Sequence, residues 1–572
     1  MTSQVTFRVK VAVSDRHCVV VVGDCPSLGG WDPHKAVELQ REENDVWSCT
    51  VPLPEGTPVR YRYMVCDIRQ DKTQKKLRII KWETYRQPRT FTPNAPARTT
   101  VGPHGPAPAR SDSSSGPNVP AAPIHTSQLR PARSSSELES VLAGAGPDYG
   151  SGCAVDQGWL VDETEIRLRF HSSKSPPIII FNQENVNRKF FIKVMPINIQ
   201  NLQKQTVDGK YNSPTCEETP VTCKVLNDTQ WCPVFQDQWG HLLENDNYLI
   251  FTTQVFNPQE WAFDILLYAE SEISDAQSNS HTPPVAKATV LPTNMTGSTG
   301  VVSAPLHNNH NRLVGQINVD YLIITPMTGE VCTAEVSFAR YWKKRKTLDV
   351  GHRGMGNSYT AASCWAFCNH HKTLFYYRVA HIRENTIASF LSAANHDGAW
   401  EEEMDTYFDR NEIVDIIMRE VLENGGKRRI LLSSFDADCC VLLRRKQNKY
   451  PVLFLSQGVT ERWEEMMDVR CRTVPMAMNF TLAEGLLGVD IHAEDILRNP
   501  SFVEEIAKLK LVCFVWGEDI NDPANMSQLR SMEVDGIIYD RMSDHREPGL
   551  YQFETEKQNG PFLAGISQHT HH

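Results

Sequence analysis

The chain has 572 residues, 58 of them basic and 69 acidic, for a net charge of −11. That mild acidity argues against a general nucleic-acid binder, which carries a basic surface. A chain this long implies roughly two to four domains, and its composition, 40% hydrophobic and 22% charged, is ordinary for a soluble protein.

The start MTSQVTFRVKVAVSD alternates apolar and polar residues and lacks the apolar stretch of a secretory leader. No run of about eighteen apolar residues occurs, so no membrane span is expected. The 15 cysteines follow no repeating framework and, without a leader, read as reduced thiols of a cytoplasmic protein.

Residues 1–93 read as all-β. VTFRVKVAV, HCVVVVGD, DVWSCTVPL and PVRYRYMVCDI are short runs rich in β-branched and aromatic residues, separated by turn-like stretches such as DCPSLGGWDP. This is the pattern of a small β-sandwich. Residues 94–150 are rich in Pro, Ser, Gly and Ala and read as a flexible linker that buries too little apolar surface to offset ordering. Residues 151–344 are β-rich again, with TEIRLRFH, PPIIIFN, RKFFIKVMPI, NYLIFTTQVF, AFDILLYAE and GQINVDYLIITPM as strands. SNSHTPPVAKATVLPTNMTGSTG reads as a long exposed loop. From 345 to 550 strand and helix patterns alternate: LDVGHRG, RNEIVDIIMREVLENGG, RRILLSSF, PVLFLSQ, LLGVDIH, LVCFVWG and VDGIIYD. That is α/β, the texture of a parallel sheet or barrel. Residues 551–572 form a tail.

In the first domain Trp31 lies in the Gly-rich PSLGGWDP, and Trp82 sits beside Glu83 in IIKWETYRQ. An exposed indole stacks on the apolar face of a sugar ring while a neighbouring carboxylate, amide or guanidinium bonds its hydroxyl rim. A Trp in a small domain equally serves to fill the core. The ordered pieces VVVVGDCPSLGGWDPHKAVEL, DVWSCTVPLPEGTPVRYRYMV and KWETYRQPRTFTP resemble a family 20 carbohydrate-binding module of the starch-binding type. The resemblance implies one glucan site on Trp31 and Trp82, with Glu83 as the acidic neighbour, Arg62 in place of a common Lys, and Gln87 as the amide. Glycogen or a starch-like glucan is the implied partner. Trp47 matches a core position.

LDVGHRGMGNS runs an apolar strand into Gly-His-Arg-Gly. Phosphodiester hydrolysis needs a proton donor for the leaving oxygen, a base or nucleophile, and cations against the phosphoryl oxygens. His and Arg at a strand end supply two of these, although three residues alone are a weak signal. Followed in order by RENTIASFLSAANH, RRILLSSFDAD, LVCFVWGEDIND and VDGIIYDRM, the motif resembles the glycerophosphodiester phosphodiesterase family, which has a TIM-barrel fold. The resemblance implies His352 as a catalytic His, Arg353 as the phosphate contact, Glu384 near the site, Trp516 as an aromatic border of the substrate, and Mg or Ca as cofactor. It implies hydrolysis of glycerophosphocholine to glycerol 3-phosphate and choline.

One stretch departs from that family. Between Glu384 and Leu431 it carries three further strands, bearing the metal ligands and a second His. A βα unit takes ~30 residues in a barrel of ~250, so three do not fit here. The barrel is therefore expected to be incomplete, with its metal ligands unassigned. His396–Asp397 and Glu403-x-Asp405 mimic the absent pairs, yet the acidic residues suit a helix start. Cys364, Cys368, His370 and His371 lack the second paired set that zinc requires. The alternative function is a non-catalytic glucan-binding protein with a degenerate phosphodiesterase domain.

Overall fold

The computed structural model describes residues 2–70, 75–83, 88–93, 155–172, 176–181, 188–200, 219–226, 233–244, 247–275, 283–328, 347–351, 359–363, 376–380, 409–425 and 430–539. Three bodies follow one another along the chain.

In the first, Thr2–Lys10 pairs antiparallel with Val46–Pro54, and Gln40–Arg41 joins that pair. A second sheet runs Val37–Glu38, Cys18–Gly23, Val59–Gln70 and Lys75–Glu83. The period-two pattern of VTFRVKV sends Val5, Phe7 and Val9 inward, where they meet Val19, Val21, Tyr61 and Tyr63. Trp47 is in this core, its indole N–H donating to Val11 O at 3.1 Å, as its sequence position implies.

The middle body is an antiparallel β-structure with a core of Phe170, Ile192, Phe251, Phe263, Ile265, Leu306 and Ile317. The expected exposed loop is corrected from Ala286 onward. Ala286–Val290 is a strand between Trp261–Ala269 and Thr299–His307, with Ala286, Ala288 and Val290 buried and Lys287 and Thr289 outward. Its inward residues are small, so the alternation is faint in the sequence.

The third body holds six parallel strands in the order Leu348–Gly351, Gly536–Tyr539, Val512–Trp516, Gly488–His492, Val452–Ser456 and Leu432–Ser434. The first strand of the domain lies against the last, as a barrel closes. Helices Ala437–Lys446, Val474–Glu484 and Ser501–Lys508 cover the outer face. Asp436 and Thr473 cap the first two through their side chains, satisfying backbone N–H groups that helix starts leave unpaired. The domain is TIM-barrel-like, and the expectation of three lost strands is revised. Six parallel strands are present among the described residues, two fewer than the eight of a closed barrel. Among the described residues no helix is long and apolar enough to cross a membrane.

The middle body and the barrel share a buried seam. Along Thr164–Phe170, Ile166, Leu168 and Phe170 face the β-core while Glu165, Arg167 and Arg169 face the barrel's helices, and every residue is buried. Arg167 pairs with Glu484 at 2.8 Å, Arg169 with Asp438 at 2.5 Å, and Lys224 Nζ donates to Ala483 O at 2.6 Å.

Candidate active site

In barrels of parallel strands, reacting groups gather at the carboxyl ends of the strands. Gly351 ends the first strand in register with Tyr539, so the chain leaves the sheet at that edge immediately before His352 and Arg353. His352, Arg353 and Glu384 lie outside the described residues, as do Gln87, His396–Asp397, Glu403-x-Asp405 and the Cys364–His371 cluster.

Trp516 ends its strand at the same edge, and its indole N–H donates to Ser456 O at 3.4 Å. Three more rings surround it. Phe435 stands edge-on at 5.1 Å between centroids, His492 lies at 4.8 Å, and Trp463 stacks at 6.0 Å with planes 14° from parallel. Trp463 also meets His492 at 5.0 Å. His492 is fully buried, and neither ring nitrogen has a hydrogen-bond partner. Burial holds its imidazole below the ordinary value, so the ring is neutral near pH 7. Gly517 makes this packing possible: with φ of 124°, a Cβ there would lie 2.7 Å from His492 Nε2.

Acidic groups flank the rings. Glu494 accepts from Thr460 Oγ1 at 2.5 Å and Glu461 N at 3.0 Å; burial raises its affinity for a proton, but these bonds outweigh it and keep the carboxylate ionised. Arg462 is tied to Glu494 at 3.7 Å, to Glu518 at 3.6 Å and to Asp519. Two residues below His492 on the same strand face, Asp490 is fully buried with neither carboxylate oxygen partnered. Burial pushes its carboxyl well above the usual range, so it is protonated at neutral pH.

Sequence reasoning names Trp516 and does not name Phe435, Trp463, Asp490 or His492, which the structure groups with it. The available signal is GVDIH, where alternate positions place Asp and His on one strand face ending at the carboxyl edge of the sheet.

Among the described residues no three His, Cys, Asp or Glu side chains come together as a metal cluster. Asp490 and His492 do not fit a divalent ion as a set, because the one is protonated and deep and the other is enclosed by rings. No chemical step is therefore assigned to a metal.

In the N-terminal body the expected glucan residues are placed differently from an open platform. Trp82 is 2% exposed and stands edge-on to Trp159 at 5.0 Å. Strand Val155–Gln157 pairs with Lys81–Glu83 and leads Trp159 over the indole. Gly158 permits the approach, since a Cβ there would lie 1.9 Å from Ile79 O. Glu83 is buried, accepting from Tyr63 N at 3.1 Å and from Arg89 Nη2 at 2.9 Å, and buried Arg62 donates to Glu83 O at 3.4 Å. Trp31 is half-buried at φ 66°, its indole N–H without a partner. The expectation of an exposed indole at Trp82 is corrected: in this conformation a neighbouring segment covers it.

Comparison with known proteins assigns families to all three bodies. Residues 395–544 match the glycerophosphoryl diester phosphodiesterase family, residues 2–101 a starch binding domain, and residues 160–328 a GDE1-like C2 domain. The chain is 30% identical to the glycerophosphocholine phosphodiesterase of Homo sapiens over 689 aligned residues, covering 96% of this chain and 93% of that one. It is 29% identical to the Rattus norvegicus protein of the same name, with 96% and 93% covered. Both alignments are longer than the chain's own 572 residues, so the relatives carry residues without a counterpart here. Among solved structures, a family 20 module of a maltotetraose-forming amylase from Pseudomonas saccharophila STB07 is 24% identical, covering 17% of this chain and 97% of its own at a TM-score of 0.15. A glycerophosphodiester phosphodiesterase from Thermotoga maritima is 23% identical, covering 23% and 51% at a TM-score of 0.18.

Proposed function

The chain belongs to the glycerophosphocholine phosphodiesterase family, and from that premise we propose that it hydrolyses glycerophosphocholine to glycerol 3-phosphate and choline. The observation that supports the reading is the pairing of Leu348–Gly351 with Gly536–Tyr539, which brings Gly351, the residue before His352 and Arg353 in the sequence, to the edge bearing Trp516 and His492. At that edge His352 transfers the proton that the departing choline oxygen requires. Arg353 holds the phosphoryl oxygens and offsets their charge as water attacks phosphorus. The family implies a divalent ion, Mg or Ca, to supply further charge neutralisation when bound.

The N-terminal module adds binding to glycogen or a starch-like glucan, supported by its family match and by the unpartnered Trp31 indole N–H. A cytoplasmic location, where such glucans and reduced cysteines coexist, completes the proposal.

Phosphorus NMR of glycerophosphocholine incubated with the full chain and Mg or Ca tests the reaction. The expected product is glycerol 3-phosphate. Phosphocholine as product, or an unchanged rate in Arg353→Gln, would overturn the assignment.

A further inference from the structure

We propose that Trp463, Trp516, Phe435 and His492 form a binding site for a quaternary ammonium cation, which selects the choline end of the substrate. The inference rests on the hydrolytic reading above and names what that site holds besides phosphate.

Aromatic faces carry negative charge density and attract a cation within about 6 Å of the ring centre. Trp516, Trp463 and His492 lie 4.8 to 6.0 Å from one another and Phe435 stands 5.1 Å from Trp516, at the edge where the substrate arrives. A trimethylammonium group offers no N–H, so a site for it needs rings and diffuse negative charge in place of acceptors at fixed positions. This cluster has that chemistry. Its imidazole is uncharged and makes no hydrogen bond within the protein. The cations beside it are already neutralised: Arg462 by Glu494, Glu518 and Asp519, and Arg498 by Glu494 at 2.9 Å. Three carboxylates against two guanidiniums leave the rim negative, which disfavours a second phosphate.

The position also fits the substrate. Strand Val512–Trp516 lies two places from Leu348–Gly351, a separation of about 10 Å at 4.8 Å per strand. A diester whose phosphate sits beyond Gly351 therefore directs one arm toward Trp516. The indoles are too close to sandwich a cation as they stand. One placed midway in their 6.0 Å separation would lie about 3 Å from each ring, inside the 3.5–4.0 Å contact distance of carbon atoms. Trp463 is 46% exposed on the connection between Ser456 and Val469, so it is the ring that swings out to admit the cation.

The test is titration of the full-length chain with choline chloride and with 3,3-dimethyl-1-butanol, its uncharged isostere, followed by tryptophan fluorescence and calorimetry. Choline is expected to bind at least about tenfold more tightly than the isostere. Trp463→Ala and Trp516→Ala should each weaken choline binding about tenfold or more, while Trp463→Phe retains most of it. Equal affinity for the two probes, or unchanged choline binding in both alanine variants with their melting preserved, would overturn the site. Binding requires no turnover. A chain that binds choline in this way but cleaves nothing keeps the cation site and loses only the hydrolytic reading. A chain that cleaves glycerophosphocholine and glycerophosphoethanolamine equally, with Trp463→Ala indistinguishable from wild type, keeps the reaction and loses the cation site.

Discussion

Trp159 stands edge-on to Trp82, their ring centroids 5.0 Å apart at 80°, and both indoles are buried. The residue that family resemblance makes a sugar platform is thus occupied by the protein's own chain. An aromatic pair of this kind adds about 0.5–1.5 kcal/mol beyond the area it buries, which a glucan must displace before it reaches Trp82. Trp159→Ala should therefore raise retention on amylose several-fold, read by affinity electrophoresis alongside a melting curve. The double variant Trp82→Ala/Trp159→Ala should lose that gain. Retention that stays flat or falls in a folded Trp159→Ala chain would show that Trp82 is a core residue and no more.

Arg169 joins the middle body to the barrel. Its guanidinium reaches Asp438 at 2.5 Å and Asp320 at 2.6 Å, and Arg470 reaches Asp438 at 2.9 Å from the other side. Removing one partner of a buried pair leaves an uncompensated charge, which costs about 3–5 kcal/mol. Arg169→Met should lower stability to urea by that order. A loss under about 1 kcal/mol, the range of an exposed pair, would mean that the seam opens in solution.

Glu165 gives the same seam a pH dependence. Its carboxyl is fully buried, which alone would raise its pKa, but Arg445, Arg167 and a hydrogen bond from Gln254 outweigh burial and lower it from 4.5 to about 2. A carboxylate whose folded pKa is depressed stabilises the fold above its unfolded pKa, and that contribution fades as pH falls from 4.5 toward 2. Melting temperature should fall across this window with a shallower slope in Glu165→Gln, which is also less stable at pH 7. Parallel slopes for the two proteins would contradict the assignment.

Asp490 is the opposite case, a buried carboxyl with no partner, in register with Leu455 and Phe514 of the neighbouring strands. Burying such a group unpaired costs roughly 1–3 kcal/mol by protein mutational measures. Asp490→Leu should recover part of that in a denaturant melt. If the variant is less stable than wild type, Asp490 has a partner in solution that offsets its burial.

Much of this was legible in the sequence because each element announces itself locally. VTFRVKV alternates, RNEIVDIIMREVLENGG repeats at three and four, and LDVG is a short apolar run that ends on a glycine. Three features were not. TEIRLRF looks like a strand with one wet face; only the docked barrel turns Glu165, Arg167 and Arg169 into buried ion pairs. Nothing near Trp82 announces Trp159, which lies 77 positions further along the sequence. Phe435 and Trp463 come from two connections and His492 and Trp516 from the ends of two strands, and parallel pairing brings them together. Local pattern reports which face a strand offers, whereas these features depend on what arrives to cover it.

The central claim is hydrolysis at the edge that follows Gly351. Its most direct test is the rate of choline release from glycerophosphocholine by the purified full chain with Mg or Ca, beside His352→Ala. The wild-type chain is expected to release choline, and the variant to fall by about 10²–10⁴-fold, the usual contribution of a proton-transferring side chain. No release by the folded wild-type chain, or equal release by both proteins, would contradict it and leave a glucan-binding protein with an inactive barrel.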